Sequence, residues 1–394
     1  MVFWQTFVSS ARREASRLRA SPWDLAMISW VPMLGCLLFG WIFSAGLPQN
    51  LPIAVIDQDH SGLSRQLQRF LAATPGLKLV DTYNDTAQAT QALRRTDVYA
   101  VVSIPPDFAR AIKLGQAAQV TLLHNAQFGT HSGLIQRDVR TVVATLSAGV
   151  EMSARNKRGQ PALLTRSAME PIQTRLVTLF NVSQNYEQFL AAALIPALLH
   201  ILAMTAGAWS VGRELRDATL GQWLVQPQGL LQTTAALLGK LTWSWIGLGL
   251  VALLSLLGLT WGRGWQPPGS VIWVAWALLV FLALSLVMGA LAAVATLSLR
   301  TALSATGFIT APAFAFSGMG FPLQSMPPLA RGWAQLLPYT HYIRLQVEQL
   351  QMAAPLYYST TVMAGLLVAT LGLGALCAVL LHRAVRLPQR WGGR

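Results

Sequence analysis

The chain has 394 residues, 53% of them hydrophobic and 11% charged, where a soluble globular protein carries about 25% charged residues. That deficit, the mean hydropathy of +0.45 and the 14 tryptophans exclude an ordinary soluble protein and make lipid the solvent for much of the chain. The formal net charge of +14 invites a nucleic-acid reading, but its placement excludes one: the excess sits in short segments beside the apolar runs, as membrane topology requires.

Residues 2–20 read as an amphipathic helix within a cytoplasmic segment spanning 1–24. Trp4, Phe7, Val8, Ala11, Ala15 and Leu18 fall on one face and Ser9, Ser10, Arg13 and Arg17 opposite, a pattern suited to the membrane interface. The apolar run at 25–47 follows. Its length, and the length of the segment before it, favour a retained membrane helix over a cleaved signal peptide.

From 48 to 187 the character changes to a soluble α/β domain. Residues 47–187 hold 14 Lys/Arg against 10 Asp/Glu. Pro52–Asp57, Leu77–Tyr83, Val98–Ile104 and Val120–His124 read as strands. Ser61–Ala73, Thr86–Arg95 and Pro106–Gly115 read as helices between them, with Pro106 placed for a helix start. Ser132–Ser153 reads as a longer helix and 155–168 as a loop.

Residues 188–384 read as five further membrane helices: Phe189–Val211, Leu237–Trp261, Val271–Leu299, a shorter Thr301–Gly318, and Thr360–Leu381. Between the last two, 319–357 is rich in Pro, Trp and Tyr and suits a re-entrant or interfacial helical hairpin. A basic tail, 385–394, closes the chain. With six crossings and an inside N-terminus, the inner segments hold Arg12, Arg13, Arg17, Arg19, Arg213, Arg216, Lys240, Arg300, Arg383, Arg386, Arg390 and Arg394. The outer segments hold Arg263, Arg331 and Arg344. Twelve against three places both termini in the cytoplasm and the α/β domain outside. The expected fold is therefore a membrane, α-helical one: six transmembrane helices with an inserted α/β extracytoplasmic domain.

The chemistry is marked first by what is missing. The sequence has no G-x-x-x-x-G-K-[ST] phosphate loop, no HExxH, no CxxC and no GxSxG. Neither ATP hydrolysis by that route nor covalent catalysis is expected, and no cofactor or metal. Cys36 and Cys377 lie inside apolar runs, as small buried thiols do. The middles of the apolar runs are essentially free of charge, with His200 the exception, read as a packing histidine. Proton-coupled efflux normally places carboxylates there, so the energy for transport is expected from elsewhere.

The segment 212–228 supplies it. Gly212-Arg213-Glu214-Leu215-Arg216-Asp217-Ala218-Thr219-Leu220-Gly221-Gln222-Trp223-Leu224-Val225-Gln226-Pro227 is charged, then apolar, and ends on proline. It resembles the signature E-R-E-x-G-T-x-E-x-L-L-x-x-P of ABC-2-type permeases (type V ABC exporters), matched at Arg213, Glu214, Thr219, Leu224 and Pro227. Ala218 stands where Gly is usual, and Gly221 where Glu is common. Ile53–Asp59 with Ser61 and Ser64-Arg65, Phe180-Asn181, Phe321-Pro322, Met326-Pro327 and Leu337–Thr340 resemble other stretches of the subfamily with a large extracytoplasmic insert, in the same order. The resemblance implies the permease subunit of an exporter of a lipophilic or amphipathic substrate in the bacterial inner membrane. ATP would be bound by separate ATP-binding cassette ATPase subunits. It also implies a second permease copy or paralogue, and the insert suits a periplasmic adaptor leading to an outer-membrane channel. Membrane lipid is the other expected partner; nucleic acid is not. In that frame Glu214 and Asp217 pair with basic ATPase residues, while Leu220, Trp223 and Leu224 pack into the ATPase groove. A membrane-anchored receptor or secretion scaffold, related to phage infection protein, shares the opening of the insert and remains the alternative.

Overall fold

The computed structural model describes residues 1–114, 116–125, 129–157, 180–181, 185–224 and 229–391. The chain forms two compact units, one from Met1–Gly46 with Thr178–Arg394 and one from Leu47–Val177.

The second unit is a four-stranded sheet in the order β2-β1-β3-β4, built from β1 (Leu51–Asp57), β2 (Leu77–Tyr83), β3 (Ala100–Ile104) and β4 (Thr121–His124). β1 runs parallel to β2 and β3, and β4 is antiparallel to β3. Strand β1 is apolar on both faces because both are covered, as parallel strands require. Ile53 and Val55 pack with Leu67 and Leu71 of α4 (Gly62–Ala72) and with Ile135 and Val139 of α7 (Gly129–Lys157). Ala54 and Ile56 pack with Ala89 and Ala92 of α5 (Thr86–Arg95). The short α6 spans Phe108–Lys113 and starts two residues later than Pro106, with Asp107 at its N-terminus in the left-handed region at φ 59°. Helix α7 runs to Lys157, into the stretch expected as a loop; the rest of that stretch lies outside the described residues.

The first unit is helical. Helix α1 (Val2–Ala20) leads through the short α2 (Pro22–Met27) into α3 (Trp30–Ile42). Ser21 caps α2 and Pro22 occupies its first turn, which is why the first apolar run starts before Leu25. The long helices are α8 (Ala192–Arg216), α10 (Leu230–Leu257), α11 (Val271–Thr296) and α15 (Leu356–Ala384), and the one-turn α9 (Leu220–Trp223) joins α8 to α10. Among the described residues, five segments are long and apolar enough to cross a membrane: Pro22–Ile42, Glu187–Arg216, Leu230–Gly262, Val271–Thr296 and Leu356–Ala384.

The expected crossing at Thr301–Gly318 is not one continuous helix. Helix α12 spans Leu299–Thr310, about 18 Å at 1.5 Å per residue, short of a ~30 Å hydrocarbon core. It stops two residues before Pro312, which has no N–H to give Phe308 O and whose ring crowds that carbonyl; Ala311, between them, still has helical backbone and bonds Gly307 O. The hairpin expected at 319–357 is present as α13 (Pro328–Leu336) and α14 (Pro338–Leu350). Leu299 lies against Gly212 at one end of the bundle, and Gln349 Oε1 accepts from Ser270 N at the other, 3.3 Å away. The chain thus travels the length of the bundle from α12 to α14 in pieces.

Two close contacts hold the centre. A Cβ at Gly207 would collide with Leu286 O, and one at Gly289 with Met204 O, so α8 and α11 touch backbone to backbone. Pro196, inside α8, cannot donate to Ala192 O. Gln346 Nε2 of α14 donates to that carbonyl at 2.7 Å, and Tyr339 Oη donates to Ala193 O at 2.7 Å. His200 is buried beside Phe281 and lies 2.7 Å from Ser285 Oγ. Because Ser285 Oγ donates to Phe281 O, the histidine Nδ1–H is the donor of that bond, a packing role.

Candidate functional site

The expected coupling segment does not begin as a loop. Residues 212–216 are the last turn of α8, which closes at Asp217. Thr219 N donates to Glu214 O at 2.9 Å and Ala218 N to Leu215 O at 3.4 Å, the paired bonds of a Schellman ending. Such an ending needs a left-handed residue at position 218, and Ala218 has φ 56°. Glycine adopts that conformation freely while a β-carbon strains it, which explains the glycine usual in the signature and marks Ala218 as strained.

The charged side chains of this ending turn inward, against α1. Lys240 Nζ of α10 lies 2.7 Å from Glu14 Oε2 and 2.8 Å from Glu214 Oε1. Arg213 Nη2 meets Glu14 Oε1 at 2.9 Å, and Arg213 Nη1 pairs with Asp24 Oδ2. Arg13 Nη2 reaches Glu214 Oε2 at 3.2 Å, and Arg17 Nη1 pairs with Glu214 Oε1. Thr219 Oγ1 donates to Glu214 Oε2, so the signature's Glu and Thr hydrogen-bond to each other across the Schellman turn. Glu214 is fully buried and Lys240 is 1% exposed. Charges at such sites are stable only when paired and hydrogen-bonded. Burial, and next the Arg213 guanidinium, lower the pKa of Arg17 against the raising pull of Glu214 and Glu14.

A second set of contacts ties α9 to α1. Trp223 Nε1 donates to Ser10 Oγ at 2.8 Å, and Ser10 Oγ donates to Ala236 O at 2.7 Å. The Lys240 ammonium stands 4.8 Å from the Trp223 ring centroid, within cation–π range. A Cβ at Gly239 would strike Phe7 O, so α1 and α10 pack closely. The face of α1 turned to the protein is accordingly Ser10, Glu14 and Leu18. Glu14 on that face needs the cations of α8 and α10, while Trp4, on the face expected to meet the membrane interface, is left exposed by the protein.

The expected docking residues therefore divide. Glu214, Leu220, Trp223 and Leu224 are buried within this chain, and Arg213 is held by Glu14 and Asp24. Leu220, Trp223 and Leu224 fill their own bundle. Thr219 is half-buried under Glu214. Asp217 is exposed, and its hydrogen bonds from Arg216 Nε and Nη2 hold its carboxyl below the usual range. Arg216, Ala218, Gly221 and Gln222 are exposed beside it. Pro227 lies outside the described residues.

Sequence reasoning missed Glu14, Asp24, Lys240 and Ser10. Signals for two of them existed: Glu14 is the one acidic residue among 1–20, and Lys240 the one charge within 230–257. An ionisable residue inside an apolar helix marks a functional site with a partner.

Five helical segments of membrane-crossing length among the described residues, closed at one end by a buried charge cluster around a one-turn helix, define a polytopic membrane protein. Residues 22–381 match the family described as ABC-2 family transporter protein, and the chain belongs to that family. It is similar to the probable multidrug ABC transporter permease YbhR of Escherichia coli K12, 22% identical over 333 residues, covering 84% of this chain and 86% of that protein. The protein of the same name from Escherichia coli O157:H7 matches to the same extent. The chain is a transporter permease, a membrane subunit rather than an enzyme in its own right.

Proposed function

We propose that this permease is the membrane half of an ATP-driven exporter in a bacterial inner membrane, working as two copies, identical or closely related, with two ATP-binding cassette ATPase subunits. The observation carrying the coupling assignment is the cluster Glu14–Lys240–Glu214–Arg213–Asp24, which fastens α1, α2, the end of α8 and the first half of α10 into one block, to which the Trp223–Ser10 hydrogen bond ties α9. A force applied at the exposed edge of that block, Asp217 to Gln222, moves these elements together. ATP binding then shifts the permease between two states by differential binding.

Both termini lie in the cytoplasm in this reading, and the α/β unit lies outside. Basic residues flank the first and last crossings, so the number of crossings is even. Five long segments supply five, and α12 with α14 supplies the sixth as two half-length helices. The α/β unit receives a periplasmic adaptor that continues the path to an outer-membrane channel. Small and apolar side chains along α8 and α11 suit a lipophilic or amphipathic cargo, in keeping with the multidrug description of the relative.

Asp217→Lys tests the coupling assignment, because it changes the exposed edge and leaves the buried cluster intact. Expected is normal membrane insertion and thermal stability, with loss of both export and retention of the co-expressed ATPase. Wild-type export in this variant would remove Asp217 from the docking surface.

A further inference from the structure

After α15 the chain turns back toward α9. Trp391 Nε1 donates to Ala384 O at 2.8 Å, satisfying one of the carbonyls that a helix end leaves open. The far edge of its ring lies 3.9 Å from where a β-carbon on Gly221 would stand. The same end of α15 is fastened to the start of α10, where His382 Nδ1 and Thr233 Oγ1 are 3.2 Å apart and Arg386 Nη2 lies 3.2 Å from His382 Nε2. An aromatic ring from the other end of the sequence thus stands beside exposed Gly221, the position where the signature commonly has a glutamate.

We propose that the segment Pro388–Trp391 completes the docking surface for the ATPase subunit, with Trp391 as its apolar anchor beside the exposed edge of α9 and the flanking arginines as its charged rim. The inference rests on the coupling assignment above and adds a second chain segment to it. Charge names the complementary partner surface. Arg216, Arg300, Arg383, Arg386 and Arg390 are exposed at this end of the helical unit, and Asp217 is the exposed acid of the turn leading into α9. An ATPase face acidic opposite these arginines, with a basic residue opposite Asp217, is the match. A bilayer headgroup layer is also anionic, but a tryptophan anchored there points its N–H toward headgroups and water. Trp391 gives its N–H to a helix carbonyl and lays its ring edge against α9. Aromatic side chains packed this way at an interface centre commonly carry its binding energy.

The test uses the full chain co-expressed with its ATP-binding cassette ATPase and purified into nanodiscs, one set of zwitterionic lipid and one with anionic lipid. Trp391→Ala, and separately Arg383→Glu with Arg390→Glu, should each lower ATPase affinity about tenfold, the loss expected for removing an interface anchor or its charged rim. Trp391→Phe should keep most of the affinity, and Arg12→Glu with Arg19→Glu, exposed cations on α1, should leave it unchanged. Equal affinity for wild type and Trp391→Ala overturns the proposal. So does an equal loss from the α1 pair, which would reduce the effect to general charge. A loss confined to anionic nanodiscs assigns the segment to the membrane and overturns it as well. If the wild-type chain itself retains no ATPase, the coupling assignment fails first, a result distinct from failure of the tail alone.

Discussion

Replacing Glu214 by Gln removes one of three carboxylates from a cluster in which Arg13, Arg17, Arg213 and Lys240 face Glu14, Asp24 and Glu214. Lys240 keeps Glu14 at 2.7 Å, but Arg13 loses its carboxylate and Arg17 is left with Glu14 at 3.6 Å. Four cations then share two acids, and breaking a buried pair in this way costs about 3–5 kcal/mol. Lys240→Met acts in the opposite direction. Glu14 keeps Arg213, Glu214 keeps Arg13 and Arg17, and three cations balance three acids. Its cost is the loss of charged hydrogen bonds, about 1.5–3 kcal/mol. Glu214→Gln is thus expected to be the more damaging change, although it is the more conservative in shape. Equilibrium unfolding of the purified chain in mixed micelles measures both. The double variant should cost less than the sum, with a coupling of about 0.5–3 kcal/mol between groups in contact. If Lys240→Met destabilises as much as Glu214→Gln, charge balance does not organise this cluster and the reasoning fails.

Two further substitutions follow from the backbone. Ala218→Gly should stabilise the chain by about 0.5–1 kcal/mol, the left-handed strain of a β-carbon less the added freedom of glycine when unfolded; a neutral or destabilising result in thermal unfolding would contradict the strain at φ 56°. Gly289→Ala drives a β-carbon into Met204 O and should cost at least about 2 kcal/mol by forcing α8 and α11 apart. Gly372→Ala on α15, where nothing lies within 4 Å, should be neutral or stabilising in the same assay, and equal effects at the two sites would refute the contact.

The strands, the helices of the α/β unit and the long apolar helices were legible because each is a local pattern. Ile53, Val55 and their neighbours announce a strand buried on both faces, and Val271–Thr296 is long and apolar enough to need no context. The two short helices before the last long one were legible from Pro328 and Pro338, each in a first turn. Two kinds of feature were not. The stretch around Thr301–Gly318 is apolar enough for a crossing, and its helix ends at Thr310 because Pro312 has no N–H to continue the ladder. The charge cluster depends on pairs far apart in sequence: Lys240 and Glu14 are 226 positions apart. Arg13, Arg17 and Arg213 were counted with the inner segments, but a charge count cannot say which of them turn inward. The signature's Glu214 and Thr219 bond to each other, and Glu214 to the bundle, a role the resemblance did not imply.

The way α14 is held makes a last prediction that separates a specific hydrogen bond from general packing. Pro196 leaves Ala192 O without its helical donor, and within a bilayer a bare carbonyl must find a partner in the protein. Gln346 Nε2 provides it at 2.7 Å, while Gln346 Oε1 accepts from Tyr342 Oη at 2.7 Å. Gln346→Leu strands both the carbonyl and the hydroxyl, and each buried polar group left unpaired costs about 1–3 kcal/mol. In a Pro196→Ala background the new N–H at position 196 can bond Ala192 O within the helix, so the same Gln346→Leu change should cost about 1–3 kcal/mol less, leaving the Tyr342 hydroxyl as the one stranded group. Unfolding of the four chains in mixed micelles gives the coupling directly. An identical cost for Gln346→Leu in both backgrounds would show that α14 is seated by shape alone. A coupling of the expected sign would establish that Pro196 in α8 helps hold α14 in place, and would give the two short helices a physical cause each: Pro312 ends α12, and Pro196 seats α14.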